Sequence, residues 1–379
     1  MSTTMDRPAS FAIVGTGWRS EFFLRVAAEL PERFAVTGVH SRSAAKCEEL
    51  AHRFGTVAVG SVEEAAEHGN PDFVIVAVPW PAAPEITQQI VELGVAVLEE
   101  TPPAPDLPAM RDLWSRVGDR NLVQIAEQNM YMPAHRARLR MVKEGLVGEP
   151  TSVQVSSNHL YHAVSIMRGL LEAGRGPTTV IAHTASTPLV DPITFGGAFS
   201  DNPDPVPCAA TLAILDFGGG RTGLYDFTEN QWWNPLRRRR LTVRGTGGEI
   251  VDDRVVFLDD PRTIVESVVT RRQTGMDMNL EGFFHDSIAV NGRAMYRNPY
   301  RPARLSDEDI AAVTIVERMS MWVRGEGPPP YPLADGLQDH LLGLAIEESA
   351  RLGRPVVTTT EPWADAVGPD FEAKVSGET

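Results

Sequence analysis

"FAIVGTGWRS", Phe11 to Ser20, runs an apolar stretch directly into a turn with glycine at 15 and 17 and a small serine at 20. A turn of this kind between a first strand and a first helix brings backbone N–H groups and a helix N-terminus up to a pyrophosphate. Gly15, Thr16, Gly17, Trp18 and Arg19 are therefore candidate cofactor-binding residues. Ser20 occupies the place of the third glycine in a GxGxxG turn and is small enough to let the helix pack closely.

Outward from this turn the chain alternates. "FAIVG" (11–15), "FAVTGVH" (34–40), "DFVIVAV" (72–78), "VAVLEE" (95–100) and "LVQIAE" (122–127) read as strands buried on both faces. Residues 19–30, 43–54, 61–67, 82–93 and 106–117 carry helical spacing between them. The alternation predicts a doubly wound parallel sheet, a Rossmann-type dinucleotide-binding domain over residues 1–130.

After Pro133 the pattern changes. A basic helix, "AHRARLRMVKEGLVGEP", is followed by strand-like segments: "TSVQVSS", "TTVIAHTAS", "ATLAILDFG", "RTGLYDFTEN", "RRLTVRGTGGEIVDDRVVFL" and a less regular "FFHDSIAVNG". This order predicts an α+β domain with an open, mainly antiparallel sheet over residues 131–379. Two late helices, 306–324 and 333–351, close the chain and are placed to pack back on the first domain.

Composition sets limits on function. The 379 residues are enough for two domains, and 42% hydrophobic with 22% charged is ordinary for a folded enzyme. A net charge of −15 argues against general nucleic-acid binding, which needs a basic surface. Cys47 and Cys208 lie in no CxxC or Cys/His arrangement, so a reducing cytoplasm and no metal site are expected. "MSTTMDRPAS" lacks the charged and apolar regions of a signal peptide, and the most apolar run, "FVIVAVPWPAAP", is cut by Pro79 and Pro81, so no membrane span is expected.

The end of the second strand bears on the choice of cofactor. An acid there accepts the ribose hydroxyls of NAD. This chain has His40-Ser41-Arg42-Ser43, with Lys46 a turn later, and no acid. Ser41 and Arg42 thus point to NADP, with Arg42 on a 2′-phosphate or stacked on adenine; a solvated arginine at a helix start is the other reading.

Several ordered motifs resemble the Gfo/Idh/MocA family of nicotinamide-dependent sugar oxidoreductases. They are "AIVGTGWRS", "VAVPWPAAPEITQQIVELGVAVLEETPPA", "AEQNMYMPAHRARLRMVKEGLVGEP", "RGTGGEIVDD" and "YPLADGLQDHLLGLAIEESARLGRPV", which together span nearly the whole chain. The resemblance implies NAD(P)(H), a carbohydrate substrate held between the second sheet and the nicotinamide, and a homodimer or homotetramer. It places Pro79, Trp80, Glu100 and Asn129 in the cofactor-binding set. In the family's count the fifth strand ends in Glu-Lys-Pro, with the lysine beside the nicotinamide ribose and the reacting hydroxyl. Here the aligned residues are Glu100-Thr101-Pro102, and the lysine is absent.

The resemblance also implies an Asp followed four residues later by an acid/base His on one helix face. In "NHLYHAVS" these positions are Asn158 and His162, with Tyr161 adjoining. An imidazole with an unperturbed pKa near ~6.5 suits proton transfer at neutral pH. Thr101 donates a hydrogen bond but is no general base near pH 7, so proton transfer falls to His162, Tyr161 or Glu100. His159 takes the role if the alignment is displaced.

Three functional readings follow. The first is a dehydrogenase or reductase acting on a hydroxyl carbon of a sugar or sugar derivative, anionic where arginines contribute. The second is a redox-neutral NAD-dependent glycosidase, since relatives with that activity also lack the lysine and end the strand in a sequence like "ETPPA"; NAD would then be the cofactor. The third is a cofactor-binding protein without turnover.

Other substrate-binding candidates are Thr101, Asn158, Tyr131 after the last strand of the first sheet, and Arg168 beyond His162. "QWWNPLRRRRLTVRG" adds Trp232 for stacking on a sugar face and Arg238, one of four consecutive arginines read as the start of a strand. Alternation in a strand lets only one pair, 237 with 239 or 238 with 240, face a pocket. A solvated or interface strand accounts for the same residues, and His340 reads as packing.

Overall fold

The computed structural model describes residues 7–194, 196–202 and 204–371. In the first half β1 (Ala9–Val14), α1 (Trp18–Ala28), β2 (Phe34–His40), α2 (Ala44–Phe54), α3 (Val62–Glu67), β3 (Phe73–Val76), α4 (Ala83–Glu92), β4 (Ala96–Glu99), α5 (Leu107–Val117) and β5 (Val123–Ile125) alternate as expected. The strands pair in parallel in the order β2-β1-β3-β4-β5. Helices cover both faces, which is why β1, β3 and β4 are buried along their whole length and read as unbroken apolar runs.

One correction concerns the strand count. "VAVLEE" is the fourth strand of this sheet, not the fifth. Between α2 and α3 the chain makes only a single bridge, Val39 to Ala58, in place of an additional strand.

The second half begins with a 3-10 turn at Asn129–Tyr131 and α6 (Pro133–Lys143). Then follow β6 (Pro150–Ser156), α7 (Leu160–Leu171), β7 (Thr179–Leu189), β8 (Val206–Asp216), β9 (Thr222–Thr228), β10 (Arg240–Gly245), β11 (Gly248–Val251), β12 (Arg254–Asp260) and β13 (Thr263–Val268). With the late β17 (Val356–Val357) they form a sheet ordered β13-β12-β11-β10-β6-β9-β8-β7-β17. Its pairings are antiparallel except β6 with β9. α7 and the long α9 (Leu333–Leu352) pack on one face, against β6 and β7. Ile181, Leu212 and Ile214 stand exposed at alternate positions of the other.

"RRLTVRGTGGEIVDDRVVFL" is three strands joined by tight turns, β10 to β12. "FFHDSIAVNG" belongs to a separate small sheet, β14 (Thr270–Thr274), β15 (Phe284–Val290) and β16 (Arg293–Arg297). β10 begins only at Arg240, so Arg237, Arg238 and Arg239 lie in the preceding loop and the alternating-face argument does not apply to them.

The two halves are tied by α8 (Asp307–Val323), whose start is fixed by a capping box between Ser306 and Asp309. Asp309 also meets Arg25 of α1 at 2.6 Å, and Glu317 meets Arg33 at 3.0 Å. Asp72, before β3, accepts from Ser320 Oγ at 2.9 Å and Arg324 at 2.6 Å. Ile125 of β5 donates to the Tyr331 carbonyl at 2.8 Å. Among the described residues no helix is long and apolar enough to cross a membrane.

Candidate functional site

The site is built where the parallel strands end. Gly15 has φ +131°, and a Cβ there would lie 2.1 Å from the Ala77 carbonyl oxygen, so the turn from β1 admits only glycine. Gly17 is the N-cap of α1, has no side-chain cap, and a Cβ on it would meet nothing within 4 Å. The first-turn N–H groups of α1 are thus left facing an open cradle, which fits a pyrophosphate. Ser20 is fully buried beneath the turn, as close helix packing requires.

Thr16 Oγ1 donates to Ser41 Oγ at 3.1 Å, which joins the phosphate loop to the end of β2. Arg42 beside it is exposed and makes no hydrogen bond or ion pair among the described residues. Trp18 and Trp80 are largely exposed at the rim.

Beyond β4, Glu100 is taken up by Arg19 of α1: Nε donates to Oε1 at 2.8 Å and the terminal nitrogen lies 2.7 Å from the same oxygen. Arg19 also donates to Gln128 Oε1 at 3.2 Å and lies over the rings of Trp18, Phe22 and Phe23. A cation is therefore present at this strand end, carried by α1 rather than by position 101.

Thr101 lies near the Tyr161 phenol, with no hydrogen bond between them among the described residues. Burial pushes that phenol well above its ordinary range; the Thr101 contact and the Arg19 charge only partly oppose this. Tyr161 is accordingly a neutral hydrogen-bond donor and not a base at pH 7.

His162 lies beside it. α7 begins at Leu160 with His159 as its N-cap, so Asn158 precedes the helix, and the expected same-face pair of Asn158 and His162 does not exist. The acid that reaches His162 comes from elsewhere. Glu127, immediately past β5, places Oε2 2.5 Å from His162 Nδ1. Its Oε1 accepts from the Asn129 backbone N–H at 3.1 Å and from Asn129 Nδ2 at 2.7 Å, and Asn158 Nδ2 donates to Asn129 Oδ1 at 2.5 Å. Burial alone would raise the Glu127 pKa, but the His162 charge and these hydrogen bonds outweigh it and hold the carboxyl below its usual range. Asn129 takes part in this support through its backbone N–H, one Nδ2 hydrogen and Oδ1.

Glu127 was visible in the sequence only as the end of "LVQIAE"; nothing local marks it as the partner of a histidine 35 positions on.

Aromatic residues close the opposite side. The His159 ring lies 4.9 Å from His162, 5.3 Å from Tyr161 and 5.3 Å from Trp232. Burial and the His162 charge push His159 down to about 4, so it is neutral packing. Tyr225 of β9 accepts the Leu160 N–H at 3.0 Å and anchors the start of α7. His340 packs edge-on against Tyr161.

Two expected site residues point elsewhere. Tyr131 is buried, donates to the Pro330 carbonyl at 2.6 Å and packs on Phe371. Arg168 is buried in a lock with Asp335 at 2.8 Å and Asp339 at 2.5 Å on α9. Both were polar groups near the right place in sequence, but Tyr131 turns from the 3-10 turn into the core and Arg168 faces α9. Arg238 is exposed, and its carbonyl accepts from Gln231. Among the described residues no group of three or more His, Cys, Asp or Glu side chains is arranged to hold a metal.

Residues 9–127 match the family model described as the oxidoreductase family with an NAD-binding Rossmann fold, Gfo/Idh/MocA. No curated protein matches the sequence. Solved structures with the same fold include a myo-inositol dehydrogenase from Corynebacterium glutamicum, 17% identical with a TM-score of 0.63, the match covering 93% of this chain and 99% of that one. A levoglucosan dehydrogenase in complex with NADH and levoglucosan is 18% identical, with a TM-score of 0.66 over 93% of this chain and 99% of that one. An oxidoreductase from Agrobacterium radiobacter in complex with NAD+, L-tartaric acid and magnesium is 15% identical, with a TM-score of 0.67 over 92% and 98%. At these identities the likeness carries the fold.

Proposed function

With residues 9–127 an NAD-binding Rossmann domain of the Gfo/Idh/MocA type, we propose that the protein is an NAD(P)-dependent oxidoreductase acting on a CH–OH carbon of a sugar or sugar derivative. The observation that carries this reading is the meeting of His162, Tyr161 and Thr101 at the strand ends, beside the glycine turn. Residues 1–130 take the dinucleotide and 131–379 supply the substrate face.

Gly15, Thr16, Gly17, Trp18 and Arg19 line the cradle for the pyrophosphate and the nicotinamide half, and Ser41 with Arg42 takes the adenine ribose. The absence of an acid at that strand end favours NADP. A bound nicotinamide supplies the hydride acceptor or donor. The chain itself handles the proton: as the substrate carbinol is oxidised its O–H bond breaks and a bond to His162 Nε2 forms. Tyr161 and Thr101 donate hydrogen bonds to the oxygen. Trp232 offers an apolar face to the sugar ring.

The test is to incubate the protein with free sugars and glycosides, with NAD or NADP, and to follow nicotinamide absorbance together with aglycone release. Stoichiometric reduced cofactor is expected, with a larger kcat/KM for NADP. His162→Ala should abolish it. Aglycone release at catalytic cofactor without net reduction would replace this reading by the redox-neutral glycosidase, which Thr101 in place of a lysine favours.

A further inference from the structure

The Glu127–His162 contact fixes more than proximity. The Glu127 side chain is 2% exposed and His162 15%. An ionised carboxylate has only lone pairs to offer, so at 2.5 Å the hydrogen between them belongs to Nδ1 of the imidazole. Asn129 Nδ2, 3.0 Å from the same nitrogen, then finds no acceptor there and donates through one of its two hydrogens to Glu127 Oε1. In the neutral ring Nε2 is left bare. It makes no hydrogen bond among the described residues and is not fully enclosed.

The two partners come from different halves of the molecule. Glu127 follows β5 of the parallel sheet, whereas His162 rides on α7, packed against the second sheet. Besides Asn129, the other groups that face His162 are His159 and Tyr161 from its own helix start. Neither accepts from Nδ1, so the ring's orientation and tautomer rest on Glu127.

We propose that Glu127 is the positioning residue of the active site, holding His162 with Nδ1 protonated and Nε2 open as proton acceptor, so that the base is armed only where the two sheets meet. The proposal deepens the reading above and rests on His162 as the proton acceptor; its first test is independent of any substrate. Asn129 and Asn158 are the next layer, keeping the second carboxylate oxygen turned away from the ring.

Nitrogen-15 NMR of histidine-labelled protein reads the tautomer directly, with His162→Gln to assign the signal. In the unmodified protein the neutral His162 ring should show a protonated Nδ1 and an unprotonated Nε2. In Glu127→Gln the side-chain amide donates to Nδ1 and the tautomer reverses. An Nε2–H tautomer in the parent protein, or an unchanged tautomer in Glu127→Gln, overturns the proposal even if the enzyme is a dehydrogenase.

Kinetics supply the second readout. Loss of the correct tautomer lowers kcat by about 10³- to 10⁴-fold, as when the acid behind a catalytic histidine becomes an amide. KM and the affinity for NADPH stay within about twofold, and Glu127→Asp recovers part of kcat because the carboxylate returns. Equal losses of kcat and cofactor affinity in the Asp and Gln variants would mean that Glu127 is only structural.

Discussion

At the scale of single residues, the least expected group is Glu99, the last residue of β4. It is fully buried, neither oxygen has a hydrogen-bond partner among the described residues, and the nearby Thr87 hydroxyl does not reach bonding geometry. Burial pushes its pKa well above the ordinary value, so the folded protein holds it protonated. In the unfolded chain it ionises near ~4.3. The folded state therefore binds an extra proton above that pH, and this contribution, complete below the unfolded value, is lost as pH rises toward the folded one. Glu99→Gln, neutral and of the same shape, should match the parent near pH 4.5 and show a higher Tm at pH 8. Equal Tm differences at both pH values would show that Glu99 is solvated in solution. Its neighbour Glu100 points the other way along the strand and is paired with Arg19, which is how one dipeptide serves both core and site.

At the scale of elements, the turn between β1 and α1 separates two roles for glycine. Gly15→Ala drives a methyl group into the Ala77 carbonyl at a positive φ and should cost more than about 1 kcal/mol of stability. Gly17→Ala adds its methyl group to open space, so Tm should hold while the affinity for the reduced nicotinamide cofactor, measured by fluorescence titration, falls. A Gly17→Ala protein that binds the cofactor as before would remove this turn from the pyrophosphate site. α7 shows the same division of labour along one helix: its first turn carries His162 and Tyr161 to the site, and two turns later Arg168 faces the core.

At the scale of the whole molecule, a buried lock joins α7 to α9. Arg168 bridges Asp335 and Asp339, Arg175 meets Asp335 at 2.7 Å, and the Tyr331 hydroxyl donates to Asp339. Burial raises Asp339 to about 7 even with Arg168 beside it. Removing the central cation leaves Asp339 in the core without a cation, while Asp335 keeps Arg175, so Arg168→Met should destabilise by about 3–5 kcal/mol, read from denaturant unfolding. The folded fraction should keep its affinity for the nicotinamide cofactor, since the lock lies away from the glycine turn. A loss of substrate KM without loss of stability would instead return Arg168 to the substrate site.

The sequence by itself determined the parallel half, the glycine turn and the late helices. Those signals are local: strands buried on both faces are continuous apolar runs, a phosphate turn needs glycine at fixed spacing, and "SDED" spells a capping box at Ser306. It also singled out His162 and Tyr161. It did not reveal β13, β14 and β16, which are only five or six residues long; β14 is polar and largely exposed, and β16 buries just Met295 and Tyr296, side by side rather than in alternation. Only the tertiary structure decided which polar residues gather at the candidate site. Glu127 reaches His162 across two sheets, Arg19 brings its charge to Glu100 from 81 positions away, and Tyr131 and Arg168 turn into the core. Such contacts depend on where strand ends and helix faces meet in space, and no local sequence pattern encodes that meeting.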